Sequence, residues 1–162
     1  MTLTGADIKK AQLEKAPKPA WQIALDFAMA KRGTPYVWGG TGPNGYDCSG
    51  LTMKAYKKAG IELPRVAADQ YQAYDKKITW NNLKPGDLVF FSGLGHVGMI
   101  SKPGYMVHAP HSGDVVKEEK LSAWRRQAFV GAVRPDPKGV KQQARLVEAK
   151  SSSAPVGLRA TF

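Results

Sequence analysis

The only cysteine of the chain, Cys48, lies where a glycine-rich loop meets a predicted helix. The turn-forming residues Thr41-Gly42-Pro43-Asn44-Gly45 precede it, and Leu51, Ala55 and Ala59 follow at helical spacing. A cysteine in the first turn of a helix faces unpaired backbone amides and the positive end of the helix dipole. Both lower the pKa of a thiol below its free value of about 8.5. Cys48 is therefore a candidate nucleophile, although a lone cysteine can also be a small buried core residue.

Two histidines downstream, His96 and His108, each lie in a strand-like segment. The short turn Lys102-Pro103-Gly104 between them allows the two residues to lie side by side on adjacent antiparallel strands. A thiol that attacks an amide needs an imidazole base and a third polar group that orients the base. We therefore expect His96 to pair with Cys48 and His108 to bond the far nitrogen of His96, although each histidine alone could be an ordinary core residue.

A metal site is the rival interpretation, because His96, His108 and Asp47 could imitate a ligand set. It is weaker, since zinc would normally recruit the adjacent thiol of Cys48 as well. One cysteine also excludes an internal disulfide and a site with several thiolate ligands. The sequence predicts a mechanism without a metal or any other cofactor.

The elements that must position these residues are helices in the first half of the chain and strands in the second. Apolar spacing predicts helices over residues 21–32, over the segment that begins near Cys48 and ends at Gly60, and over residues 66–74. Apolar runs separated by short turns predict strands over residues 88–91, 96–101, 105–109, 114–117 and 129–134. Short connections favour an antiparallel meander, so the fold class is α+β, with helices packed against an antiparallel sheet.

Composition divides the chain into three parts. Residues 1–20 form a polar leader, with a short helix expected over 6–11 and no apolar stretch of signal-peptide length. Residues 21–135 form one domain, and residues 136–162 form a basic, mostly flexible tail in which 140–150 could form a helix transiently. No run approaches the length of a membrane span. The net charge of +11 suits an anionic partner, but no nucleic-acid-binding motif is present.

Six motifs taken together resemble the NlpC family of bacterial cell-wall cysteine peptidases over about residues 21–135. They are Tyr36-Val37-Trp38-Gly39-Gly40, Asp47-Cys48-Ser49-Gly50-Leu51, Leu63-Pro64-Arg65, residues 83–91 (LKPGDLVFF), Gly95-His96-Val97-Gly98-Met99 and Val107-His108-Ala109-Pro110. The resemblance implies a papain-like fold and cleavage of peptidoglycan stem peptides between D-γ-glutamate and the diamino acid. It also implies action at the cell wall, with the basic flanks able to meet an anionic wall polymer.

The resemblance also implies a role for each motif residue. Cys48 is the nucleophile, His96 the base and His108 the residue that orients it. Tyr36 shares the oxyanion with the Cys48 backbone amide. The substrate-binding residues are Asp47, Ser49 and Arg65, of which Asp47 could also cap the helix.

Two other functions fit the same motifs. The chain could be a wall-binding module that kept the fold without activity, although all three catalytic positions are present. It could also carry out amidase or acyl-transfer chemistry with the same thiolate. The leading hypothesis is a peptidoglycan endopeptidase.

Overall fold

The computed structural model describes residues 17–152, so the short helix expected over 6–11 lies outside the described residues. The chain divides into two units. One is Ala20–Asp136, which holds every predicted site residue. The described part of the other is residues 17–19 and a helix over Pro137–Ser152. The segment 140–150, for which the sequence predicted a transient helix, lies within this helix.

Among the described residues, three α-helices precede the sheet: α1 over Ala20–Ala30, α2 over Cys48–Lys58 and α3 over Ala67–Gln72. Most of the apolar positions that predicted α1 and α2 are buried, including Ala24 and Ala28 in the first and Leu51 and Ala55 in the second. The two helices pack against each other, as predicted. The core therefore fixes the axis of the helix that begins at Cys48.

Five strands of the described part of the chain form one antiparallel sheet, which confirms the predicted α+β class. In chain order they are β1 Leu88–Phe91, β2 His96–Lys102, β3 Tyr105–His108, β4 Lys117–Lys120 and β5 Phe129–Val133. In space they lie in the order β4-β3-β2-β1-β5. The meander runs from β1 to β4, and β5 then returns to the free edge of β1.

Side chains on β1 alternate between the two faces of the sheet, and both faces are buried. Val89 and Phe91 join a cluster with Ile100 and Met106 of the neighbouring strands. Phe90 points the other way and meets the ring of Tyr71 on α3 edge to face, at 5.1 Å between centroids. A strand covered on both faces explains the unbroken apolar run that identified β1 in the sequence.

Two features of the second half differ from the sequence prediction. The strand expected over residues 114–117 begins only at Lys117, because residues 114–116 bond residues 33–36 instead: Gly33 and Tyr36 donate backbone hydrogen bonds to the carbonyls of Val116 and Asp114. In addition, a short helix, α4, covers Ala123–Ala128 before β5. The helix over Pro137–Ser152 is accordingly α5. No helix within residues 17–152 is long and apolar enough to cross a membrane.

Candidate active site

Cys48 is the first residue of α2, and Asp47 caps the helix. The Asp47 Oδ1 atom accepts a hydrogen bond from the Gly50 backbone N–H at 2.6 Å, which satisfies one of the free amides of the first turn. A Cβ atom on Gly50 would lie 2.1 Å from the carbonyl oxygen of Gly40. Only glycine therefore lets the loop before Cys48 pack directly on the first turn of the helix.

The Cys48 sulfur is surrounded by groups that shift its pKa in opposite directions. Burial raises the pKa of the thiol, a backbone hydrogen bond from Val97 lowers it, and the charge of Asp47 raises it again. Hydrogen bonds from the backbone of Ser49 and of Cys48 itself lower it further, but the net shift is upward. The backbone amides at the helix start lower the pKa of the thiol as expected, but burial raises it by more. The free protein thus holds Cys48 as a thiol that needs a base.

His96 begins β2, and His108 ends β3. The Nε2 atom of His96 lies 2.8 Å from Nδ1 of His108, with the two rings nearly perpendicular. His108 is fully buried. The Val97 amide that bonds the Cys48 sulfur belongs to the residue after His96, so the sulfur lies against the start of β2. The structure thus brings together the three residues that the sequence singled out.

Both imidazoles of this pair are neutral near pH 7. Burial lowers the pKa of His96 to about 3, and the charges of His108 and Arg125 act in the same direction. Burial also lowers the pKa of His108 to about 4, while Glu119 raises it and Arg125 lowers it. A neutral imidazole has a free lone pair, which is what a base needs in order to take a proton from a thiol.

Two further residues extend the histidine pair, and the sequence analysis missed both. The Nε2 atom of His108 lies 3.0 Å from Oε1 of Glu119, a residue of β4. Arg125 of α4 donates to both carboxylate oxygens of Glu119, at 2.7 and 3.3 Å. The predicted strand over residues 114–117 ended before Glu119, and α4 was not predicted. A strand extended to residue 120 would have placed Glu119 next to β3.

Asp47, Ser49 and Arg65 form a second cluster beside the thiol. Arg65 binds Asp47 through both ends of its guanidinium, at 3.1 Å to Oδ1 and 2.6 Å to Oδ2, and also donates to the Ser49 hydroxyl at 2.9 Å. The Arg65 side chain is 36% exposed. This bidentate pair offsets part of the carboxylate charge that opposes thiolate formation at Cys48.

An open cleft of about 430 Å³ connects the Cys48 thiol, the cluster of Asp47, Ser49 and Arg65, and the loop that carries Tyr36. Its lining includes Tyr36, Cys48 and Arg65, and it also contains Trp38, whose side chain is the most exposed large apolar group among the described residues at 86%. Burial raises the pKa of the Tyr36 phenol, and the charges of Cys48 and Asp47 raise it further. Tyr36 therefore keeps its proton and can donate a hydrogen bond into the cleft.

The described residues offer no metal site: in 17–152, no group of three or more His, Cys, Asp or Glu side chains could hold an ion. The third histidine, His111, lies apart from the pair. Its side chain is 74% exposed, with Nε2 at 3.6 Å from an Asp114 carboxylate oxygen.

Comparisons of this chain with known proteins point to one family. A family model described as NlpC/P60 matches residues 33–134. A probable endopeptidase of Corynebacterium glutamicum is 40% identical over 117 residues, which cover 71% of this chain and 55% of the relative. The murein DD-endopeptidase MepH of Escherichia coli is also 40% identical, over 141 residues covering 81% of this chain and 50% of the relative.

Solved structures agree with this result. The crystal structure of an NlpC/P60 family protein from Bacillus cereus superposes with a TM-score of 0.68 and 32% identity, covering 77% of this chain and 43% of that one. The chain spans about half the length of the curated relatives that it matches.

Proposed function

The chain belongs to the NlpC/P60 family, and on that premise we propose that it is a cysteine endopeptidase that hydrolyses an amide bond in the stem peptides of peptidoglycan. The observation that carries the proposal is the position of Cys48 against the start of β2, beside a His96 that bonds His108 at 2.8 Å. A thiol, a neutral imidazole and a group that holds the imidazole are the parts that amide hydrolysis by a cysteine requires.

In the proposed first step, the ring nitrogen of His96 that does not bond His108 takes the thiol proton, and the Cys48 sulfur attacks the peptide carbonyl. The negative charge that develops on the carbonyl oxygen is stabilised by the Cys48 backbone N–H and the Tyr36 hydroxyl. The protonated His96 then gives its proton to the leaving amine as the carbon–nitrogen bond breaks. The products of this step are a free amine and a thioester on Cys48.

The second step returns the enzyme to its starting state. His96, again neutral, takes a proton from a water molecule, and the hydroxide attacks the thioester carbonyl. The carbon–sulfur bond breaks, the peptide leaves with a new carboxylate, and the sulfur recovers a proton from His96. The low pKa of His96 favours the steps in which the imidazolium gives its proton to the leaving amine and to the sulfur, and it opposes the steps in which His96 takes a proton.

Asp47, Ser49 and Arg65 are proposed to bind the stem peptide beside the reacting bond. Each Asp47 oxygen already accepts from Arg65, and Oδ1 also accepts from Gly50. A carboxylate oxygen can accept more than one hydrogen bond, so a substrate ammonium group could add to this set. The exposed part of Arg65 offers a matching site for a substrate carboxylate.

The bond that we propose is the one between D-γ-glutamate and the diamino acid, as the motif resemblance implies. The name of the relative MepH specifies a DD bond in murein instead. Digestion of purified, cross-linked muropeptides followed by mass spectrometry separates the two, because only a DD cleavage converts cross-linked dimers into intact monomers. Cleavage of the amide that joins the stem peptide to the sugar would indicate amidase chemistry. Binding without any cleavage product would indicate a wall-binding module.

The proposal also includes the domain organisation of the enzyme and the place where it acts. Residues 21–135 would form the peptidase domain, with the basic flanks 1–20 and 136–162 available to an anionic wall polymer. The protein would act at the cell wall or outside the cell. Sedimentation with purified walls at low and high salt tests the electrostatic part, since contacts between exposed charges weaken as salt is added.

A further inference from the structure

The hydrogen bonds of the histidine pair continue into β4 and α4. We propose that Glu119, held by Arg125, is a positioning residue that fixes the tautomers of both His108 and His96, so that His96 presents the lone pair of its Nδ1 atom to the thiol. The inference rests on the proposed function for its catalytic meaning, but the tautomers themselves are a property of the free protein. Neither residue lies in any of the motifs that identified the site.

The direction of each hydrogen bond follows from the carboxylate. An ionised Glu119 can only accept, so the Nε2 atom of His108, 3.0 Å away, must carry the hydrogen. A neutral imidazole has one N–H, so Nδ1 of His108 is an acceptor. The Nε2 atom of His96, 2.8 Å from that nitrogen, must then be the donor. By elimination, the Nδ1 atom of His96 holds the free lone pair.

Arg125 keeps the Glu119 carboxyl group ionised. Burial raises the pKa of the Glu119 carboxyl, but the hydrogen bond from Arg125, the charge of Arg125 and the hydrogen bond from His108 lower it, and the net pKa lies below the ordinary value. Arg125 is itself fixed: it is buried, and its guanidinium carbon lies 4.1 Å from the ring centroid of Trp124 and 5.3 Å from that of Phe91. The carboxylate is thus held both ionised and in one orientation.

The ion pair of Glu119 and Arg125 fixes the tautomer of a neutral His108 better than a carboxylate alone would. Glu119 raises the pKa of His108, and Arg125 lowers it. A carboxylate without its arginine would favour a protonated His108, which would then donate from both nitrogens and could not accept from His96. The arginine opposes that protonation while the carboxylate still selects which nitrogen carries the hydrogen.

Glu118 provides a matched control on the same strand. Its carboxylate accepts from the Ser101 hydroxyl at 2.6 Å and lies 3.9 Å from the Lys102 ammonium, so it takes no part in the histidine pair. The change Glu118→Gln therefore removes the same charge from β4 without touching the proposed chain of hydrogen bonds.

The direct test is nitrogen-15 NMR of the histidine rings in the free protein near pH 7, with the exposed His111 assigned from a His111→Gln variant. We expect His96 and His108 both to carry the hydrogen on Nε2. We also expect Glu119→Ala to populate the Nδ1–H form of His108, and Glu118→Gln to leave both rings unchanged. A wild-type His108 with its hydrogen on Nδ1 would overturn the proposal without any variant, and so would a Glu119→Ala spectrum that matches the wild type.

Reactivity of the thiol gives a second readout that needs no peptidoglycan. Alkylation of Cys48 by iodoacetamide near pH 7 should slow by about tenfold to a hundredfold in Glu119→Ala, by analogy with the loss of a carboxylate that orients a metal-bound histidine. Glu119→Gln keeps one acceptor oxygen and should slow less, and Glu118→Gln should react as the wild type does. Equal rates in Glu119→Ala and Glu118→Gln would contradict the proposal.

The two proposals can fail separately. If the wild type cleaves no muropeptide but the NMR and alkylation results are as expected, the positioning role stands and the proposed function falls. If the wild type cleaves muropeptides and Glu119→Ala cleaves them with unchanged kcat, the positioning role falls alone. When both hold, Glu119→Ala should lower kcat and leave KM nearly unchanged, because Glu119 does not line the cleft.

Discussion

The Nε2 atom of His96 lies 2.8 Å from the Nδ1 atom of His108, across neighbouring strands of the sheet. Twelve residues separate the two along the chain. This contact commits one nitrogen of His96 to His108 and leaves the other for Cys48, so the two histidines have different roles in the proposed mechanism although they are chemically identical.

The first prediction concerns these two roles. His96→Ala should lower kcat/KM on a stem-peptide substrate by thousands-fold or more, roughly the cost of losing the base in a coupled catalytic unit. His108→Gln or His108→Asn should keep measurable activity, because an amide can accept from His96 and donate to Glu119 at once. His108→Ala should fall between them. If His96→Ala cleaved the substrate and His108→Asn did not, the two roles would have to be exchanged.

A second prediction concerns Arg65 and the thiol. Arg65→Ala leaves the Asp47 carboxylate without its partner beside Cys48, which should raise the pKa of the thiol. Alkylation by iodoacetamide at pH 7.5 should slow by about threefold to tenfold. Arg32→Ala is the matched control, since Arg32 bonds the Met29 carbonyl at the end of α1. Equal rates in the two variants would show that Arg65 does not act on the thiol.

Stability should depend on pH through the buried histidines. In the folded state the pKa values of His96 and His108 lie at about 3 and about 4, below the unfolded value of 6.5. Their contribution is therefore complete above pH 6.5 and is lost as the pH falls, since only the unfolded chain binds these protons. Urea unfolding between pH 6 and 4.5 should give His108→Gln a slope about 1 kcal/mol per pH unit shallower than that of the wild type.

The control for the slope is His111→Gln, which replaces a histidine whose side chain is 74% exposed. That variant should keep the wild-type slope. A His108→Gln slope equal to that of the wild type would mean that His108 is charged in the folded protein.

The C-terminal segment should be dispensable for chemistry. The Asp136 carboxylate accepts a hydrogen bond from the Trp21 backbone N–H at 3.0 Å, so the deletion should begin at residue 137. We expect deletion of residues 137–162 to leave kcat/KM on soluble muropeptides nearly unchanged and to weaken binding to intact walls at low salt. The difference in binding should shrink as salt rises, since screening acts beyond roughly 10 Å at 0.1 M. A deletion variant that fails to fold would contradict the domain boundary.

Local patterns in the sequence were enough to predict the trio of Cys48, His96 and His108. Turn-forming residues and helical spacing mark the start of α2, and a short turn joins the two strands that carry the histidines. Glu119 and Arg125 could not be predicted in this way. The strand that carries Glu119 reads Lys-Glu-Glu-Lys, without the apolar alternation that marks a half-buried strand, and the contact of Glu119 with His108 depends on the pairing of β3 with β4.

The protonation state of the Cys48 thiol could not be predicted from the sequence either. The helix start at Cys48 predicted a lowered pKa, and the surrounding amides do act in that direction. Burial depends on how α2 packs against β2, and it raises the pKa by more than the amides lower it. A local motif can therefore identify a nucleophile, while its protonation state depends on the tertiary packing around it.

The central claim is that Cys48 carries out the hydrolysis, and the most direct measurement compares the wild type with Cys48→Ala on one purified stem-peptide substrate. The account predicts that the wild type releases both cleavage products with or without EDTA. It predicts that Cys48→Ala, folded by circular dichroism, binds the substrate and releases none. Cleavage by a homogeneous Cys48→Ala preparation, or wild-type activity that is lost on chelation and restored by zinc, would contradict it.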